Sequence, residues 1–225
     1  MKPFPIFLIG LENRHCVVIG GTHEGEGKVR GLLDVNATIT VVAPTLTEQL
    51  RAWADEGLFV WLERPYQTGD LRGAFLVIAE RADPDTNAAI YAEAEKEGIL
   101  VNVMDDVDHC NFVAGSVIRQ GKLVVSISTS GAAPALSVRT RQRLQEEFGP
   151  EYAIFLDWMH AMRSPMAEIY PKFGERKARW YEMVDSDILQ LIKAGEFAQA
   201  RQRILDIAGE AVVQVIPESS PQLSE

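Results

Sequence analysis

The sequence predicts an α/β protein: a doubly wound parallel sheet followed by a smaller hairpin and a helical region. Three observations carry this reading. Residues 16–19, 39–42, 75–79 and 100–103 are short apolar runs rich in β-branched side chains, the kind that fills strands buried on both faces. Helical periodicity separates these runs, and strands alternating with helices imply parallel crossovers. The first run ends at Gly20-Gly21, a turn that passes into a helical pattern.

In chain order, residues 5–11 read as a short leading strand. Residues 16–19 form the first buried strand. A helix follows with apolar positions at Val29, Leu32, Leu33 and Val35, and residues 39–42 close the unit. Strand, glycine turn, helix and strand within about 30 residues form a βαβ unit. Residues 46–56 form an amphipathic helix with Leu46, Leu50, Trp53 and Ala54 on one face, ended by Gly57. Residues 59–62 and 75–79 are strands, and 83–97 a helix with Asp83 as N-cap and Pro84 at its first position. Residues 100–103 are the next strand. After about residue 113 the pattern changes. Residues 113–118 and 123–128 pair as a hairpin around Gln120-Gly121-Lys122. A small-residue loop leads into a basic helix, and residues 150–208 are helical with breaks at Ser164-Pro165, Pro171 and Gly195. The polar tail 217–225 reads as frayed.

The glycine turn carries the first functional signal. In G-x-G-x-x-G register it reads Gly20-Gly21-Thr22-His23-Glu24-Gly25, with Thr22 in place of the middle glycine. Such a turn sets backbone N–H groups and the positive end of a helix dipole where a phosphate can sit. The second strand runs into Ala43-Pro44-Thr45, so the usual ribose-binding carboxylate is replaced. The alternative is a turn whose glycines serve close packing alone. Composition narrows the classes further. Of the 225 residues 47% are hydrophobic, and the net charge of −10 argues against general nucleic-acid binding. The two cysteines, Cys16 and Cys110, form no metal-ligand spacing. No apolar run approaches the roughly 20 residues of a membrane span. The first residues do not form a signal peptide, which makes the cytoplasm the expected location.

A specific resemblance then emerges. It rests on Asn102-Val103-Met104-Asp105, Cys110-Asn111-Phe112, residues 126–131 (SISTSG) and Pro134, read with Gly20-Gly21, Lys28 and the strand end at 41–44. In order and spacing these resemble the precorrin-2 dehydrogenase / sirohydrochlorin ferrochelatase family, which includes the N-terminal part of siroheme synthase. The resemblance implies a Rossmann-like NAD-binding domain over 1–113, a dimerisation region over 114–148 and a helical domain over 149–225. It implies oxidation of precorrin-2 to sirohydrochlorin with NAD as acceptor, in a homodimer, and in some members Fe²⁺ insertion. NAD would meet Gly20, Gly21, Thr22, His23, Glu24, Gly25, Ala43, Pro44, Thr45, Arg81 and Asn102.

The family's key acid falls on Asp105, at a strand's carboxyl end, where a carboxylate can take a proton from a substrate atom. The alternative for Asp105 is a turn-capping aspartate beside Asp106 and Asp108. The implied substrate is a polycarboxylate tetrapyrrole, so an acidic chain must concentrate cations locally. Ser128, Thr129, Ser130, Gly131 and Arg141 are candidates, with Arg139, Arg143, Arg163, Lys172, Arg176, Lys177 and Arg179 behind them. Any of these cations can equally belong to a solvated helix face. The sequence departs from the family at Thr22, Gly27, Arg81-Ala82, Val107, Gly115 and Gln120. Two other readings stand beside the dehydrogenase: a chelatase with a degenerate NAD site, and a non-enzymatic nucleotide-sensing module. No resident metal site is expected.

Overall fold

The structure, a computed structural model, describes residues 2–217 and divides into two compact units that meet in sequence between residues 114 and 115. The first unit is a five-stranded parallel sheet in the order β3-β2-β1-β4-β5. Its strands are β1 (His15–Ile19), β2 (Thr38–Val42), β3 (Val60–Leu62), β4 (Leu76–Ala79) and β5 (Leu100–Val103). Three helices connect them: α1 (His23–Leu33), α2 (Glu48–Asp55) and α3 (Pro84–Glu97). Alternation along the strands sorts the side chains into two cores. Cys16, Val18, Ile39, Val41, Leu76 and Ile78 pack with Val29, Leu32 and Leu50 on the α1/α2 face. Val17, Ile19, Val42, Val77, Ala79, Val101 and Val103 pack with Leu71, Ile90 and Ala94 on the α3 face. Burial on both faces is why these strands read as unbroken apolar runs.

Helix ends follow their caps. Asp83 accepts from the Thr86 amide at 3.0 Å and Pro84 opens α3. Thr47 caps α2 through the Leu50 amide, so that helix begins two residues later than its apolar pattern suggested. Leu46, Trp53 and Ala54 nonetheless pack on the core with Leu50, as the face demanded. The expected leading strand over 5–11 does not form. Residues 2–10 are irregular and exposed, with Phe4 at 86% and Ile9 at 91%. Pro3 and Pro5 supply no N–H to a ladder, and Leu11 is the first residue of this stretch to reach the core.

A buried carboxylate ties the long β3–β4 connection to α3. Glu93 accepts from the Tyr66 hydroxyl and from the Gly69 and Leu71 amides at 2.9 and 3.1 Å. Burial and this hydrogen bond push the Tyr66 hydroxyl's pKa well above its ordinary value.

The second unit opens with the antiparallel pair β6 (Ser116–Gln120) and β7 (Leu123–Ile127). Gly121, at φ +54°, is the first of the two turn residues, as a type II′ turn requires. Helix α4 (Pro134–Glu147) follows. Helices α5 (Glu151–Ala161), α6 (Arg163–Ile169), α7 (Phe173–Val184), α8 (Ile188–Lys193), α9 (Phe197–Ala208) and α10 (Glu210–Val213) then enclose one apolar core. Ile154, Phe155, Trp158, Met162, Met166, Met183, Ile188 and Ile204 lie at its centre. The break expected at Ser164-Pro165 falls earlier, at Met162. Pro165 sits in the first turn of α6, where no intrahelical N–H is needed. A further break at 185–187 had no proline or glycine to signal it. Of the tail expected to fray, 218–225 lies outside the described residues.

Replacing Glu93 by Ala strips the acceptor from three donors at once. Each buried group left unpaired costs about 1–3 kcal/mol, so a loss of about 3 kcal/mol is expected in urea unfolding. A loss below about 1 kcal/mol would mean that these donors find water instead.

Candidate functional site

The carboxyl ends of β1 and β4 mark the point where strand order reverses, the position at which open α/β sheets bind ligands. The β1–α1 turn lies there. Gly20 has φ +118°, and a Cβ on Gly21 would stand 2.1 Å from the Thr45 carbonyl oxygen. Glycine at 21 is therefore required for the turn to press against the Ala43-Pro44-Thr45 segment, and the Thr47 amide donates back to the Gly21 carbonyl at 3.0 Å.

The sequence reading missed the residue at the centre of this site. Glu80 follows β4, and its Oε1 accepts from the Thr22 amide at 2.9 Å, the Thr22 hydroxyl at 2.8 Å and the Gly25 amide at 2.9 Å. Its own amide donates to the Ile19 carbonyl at 2.7 Å, joining the ends of β4 and β1. A carboxylate thus occupies the amide cradle at the start of α1. Thr22 is also the N-cap of α1, its Oγ1 accepting from the Glu24 amide. Its side chain is therefore turned to the helix end and to Glu80. The one signal for Glu80 was a charged residue directly after a buried strand.

The other expected cofactor residues are scattered in role. His23 and Glu24 are exposed, and His23 pairs with Glu26. Ala43 is buried, its carbonyl accepting from the Trp61 indole, while Pro44 and Thr45 are exposed. The Asn102 amide nitrogen donates to the Phe112 carbonyl at 3.1 Å and lies 3.5 Å from the Cys110 sulfur, so it ties down the segment after β5. Arg81 Nη1 stands 3.5 Å from the Asp105 carbonyl oxygen, bringing a cation to the ends of β4 and β5.

Asp105 adopts φ +58° in the turn after β5, and its side chain is exposed with no hydrogen-bond partner among the described residues. Its neighbour is held instead. Asp106 Oδ2 accepts from Asn87 Nδ2 and pairs with His109 Nδ1, both at 2.8 Å. These contacts, His109 first, keep its carboxyl below the usual range and therefore ionised. The His109 ring packs edge-on against Tyr91 with centroids 5.7 Å apart. Among the described residues no three metal-ligating side chains converge.

In the second unit, Ser130 shares the left-handed conformation (φ +56°), and its amide donates to Ser128 Oγ at 3.1 Å. Thr129 Oγ1 accepts from the Ala133 amide and meets Ser137 Oγ at 3.1 Å, bracing the entry to α4. Ser128, Ser130 and Gly131 are exposed. On α4 two of the three arginines pair with glutamines: Arg139 with Gln142, and Arg141 with Gln145 at 2.7 Å. Arg179 and Lys172 are also committed. Arg179 donates to the Ile207 carbonyl and stacks on Tyr170, and Lys172 pairs with Glu175.

Comparison with known proteins gives this geometry a context. Residues 7–116 match the sequence model of a family described as putative NAD(P)-binding. Siroheme synthase 1 of Aeromonas salmonicida is 32% identical over 203 residues, and siroheme synthase of Neisseria meningitidis 31% over 208. These alignments cover 90% and 91% of this chain. This chain is similar to those siroheme synthases along most of its own length. It spans 43% and 42% of the length of those two relatives. A solved structure, "SirC, precorrin-2 dehydrogenase", superposes with a TM-score of 0.71 at 24% identity, covering 87% of this chain and 98% of that one. That likeness establishes the fold: a parallel Rossmann-like sheet followed by a helical region.

The cofactor that the sequence resemblance implies can be set against the residues present. The donors of the β1–α1 turn suit an anion, since they already hold one in the form of the Glu80 carboxylate. A Cβ on Gly20 or Gly25 would strike the Glu80 side chain at 2.3 or 2.7 Å, so the glycines open space that a flexible carboxylate now fills. The turn would fit the diphosphate of NAD(P) only with that side chain rotated away, and Thr22 and Gly25 would then supply amides. Glu80 would compete with the cofactor for the same donors. Glu80→Ala is expected to tighten NAD⁺ binding about 10-fold in calorimetry, because the competent state no longer has to be paid for. The same change should lower the NAD-free thermal midpoint by about 2–4 °C as α1 loses its acceptor. Weaker binding would make Glu80 part of the cofactor site.

Proposed function

We propose that this protein oxidises precorrin-2 to sirohydrochlorin with NAD⁺ as acceptor, as a cytoplasmic homodimer. The observation that carries the proposal is the anion-holding amide turn at the strand switch, with an unpartnered carboxylate at the end of β5 in the same unit. Gly20, Gly21, Thr22 and Gly25 would hold the diphosphate, beside Ala43-Pro44-Thr45, and Arg81 would add a cation at the strand ends. NAD⁺, when bound, accepts a hydride from the reduced macrocycle. The two-electron oxidation also releases a proton, and Asp105 is the group proposed to receive it. Its exposed carboxylate accepts no hydrogen bond from the described residues, whereas Asp106 is held ionised by His109 and Asn87. In the second unit the hydroxyls and amides of Ser128, Thr129, Ser130 and Gly131, with Arg141, would bind substrate carboxylates.

Glu80 favours a second reading, a chelatase whose cofactor turn is blocked and which inserts Fe²⁺ into sirohydrochlorin. Calorimetry with NAD⁺ and an absorbance assay for sirohydrochlorin separate the two. NADH and sirohydrochlorin produced together from precorrin-2 support the dehydrogenase, and iron insertion without NAD⁺ binding supports the chelatase.

The expected effect of Asp105→Ala is a 10²–10⁴-fold loss of the dehydrogenation rate, the range for a positioned acid–base group, with NAD⁺ affinity little changed. A near-normal rate would return Asp105 to a turn residue.

The dimer is proposed through residues 114–147, where Val117, Leu136 and Val138 are 44%, 58% and 42% exposed beside a two-stranded hairpin. Such a hairpin is marginal unless covered, and a two-fold partner supplies that cover. Sedimentation should show a dimer that Leu136→Glu dissociates, and a wild-type monomer at micromolar concentration would end the proposal.

A further inference from the structure

The helical unit contains a cavity of about 900 Å³, at the large end of the range for small-molecule sites. Its walls come from α5, α6, α7 and the hairpin turn. Four cationic side chains line it, Lys122, Arg163, Arg176 and Lys177, together with His160, and no carboxylate is among the lining residues. In a chain of net charge −10 this is a local reversal of sign. Lys122 is offset by Asp157, 2.5 Å away. Arg176 has one nitrogen on the Tyr170 carbonyl at 2.8 Å. Arg163 and Lys177 make no hydrogen bond to the protein among the described residues, and Lys177 lies 5.7 Å over the Tyr181 ring. Trp180, Tyr181 and the 71%-exposed Phe173 add aromatic surface to the same walls.

Cations that carry no partner and aromatic faces that meet water select a ligand of matching chemistry: flat, apolar on its faces and anionic at its rim. A carboxylate rim is met by the Arg163 guanidinium, whose planar fork can donate two hydrogen bonds to it, and by the Lys177 ammonium. The aromatic faces cover the ring. We propose that this cavity is a binding site for a flat polycarboxylate macrocycle, with Arg163 and Lys177 as its principal anchors. The identity of the macrocycle as the reaction's tetrapyrrole rests on the function proposed above. The binding chemistry does not.

Uroporphyrin, a stable octacarboxylate porphyrin, is the probe, titrated into the full chain while tryptophan fluorescence is read. Binding is expected, weakening as salt is raised and weaker for the tetracarboxylate coproporphyrin. The Arg163→Gln/Lys177→Gln double variant should bind roughly 10- to 100-fold more weakly, the effect of deleting two charge-assisted contacts. Both residues lie at the cavity surface, so the fold should persist, and an unchanged thermal midpoint verifies it. Arg72→Gln/Lys96→Gln, two exposed cations of the first unit, should leave binding unchanged. Equal binding by the cavity variant, or a loss carried by the first-unit variant, overturns the proposal. Assaying precorrin-2 oxidation in the same proteins separates the two ideas. An inactive wild type that still binds uroporphyrin through Arg163 and Lys177 sinks the dehydrogenase reading and sustains this site. An active wild type whose cavity variant keeps its porphyrin affinity does the reverse.

Discussion

The first turn of α1 begins with amide groups that no helical carbonyl can reach, and the first unit is arranged around satisfying them. The acceptor comes from the far side of the strand switch. Because β4 pairs with β1 in parallel register, Ala79 beside Ile19, the next residue after β4 is delivered to the turn after β1. Glu80 is that residue. One oxygen takes three donors, and the dipole of α1 adds to the attraction. An anion is required at this point in the fold. The chain supplies its own in Glu80.

The same logic of neighbours separates the two aspartates after β5. Asp106 is drawn toward Asn87 on α3 and is bound by His109 from its own turn, and its proton affinity falls. Asp105, one residue on the other side of a left-handed turn, escapes that network. Adjacent carboxylates thereby acquire different chemistry, one a fixed structural charge and one an unencumbered acceptor.

The two units offer different materials to a negative charge. In the first, backbone amides aimed by a glycine turn hold the Glu80 carboxylate, and the side chains around them are small or anionic. In the second, long cationic side chains on α6 and α7 line a cavity beside aromatic rings. Backbone donors suit a compact phosphate, whereas spaced cations suit a ligand whose charges lie on a wide rim.

The sequence by itself determined the strand alternation, the caps at Asp83, the β1–α1 glycine turn and the hairpin around Gly121, because each depends on residues within a few positions of one another. It also placed Asp105 at a strand end. It could not reveal Glu80, whose partners lie 55 and 58 residues earlier and meet it only through the β1–β4 pairing. Nor could it sort the cations of the tail. Arg179 and Arg163 look alike in sequence, yet one is committed to a carbonyl and a Tyr170 ring while the other faces a cavity. Local propensity fixes where an element begins. Which side chain is left with an unsatisfied valence is decided by the packing of elements distant in sequence, and at the site that remainder is the chemistry.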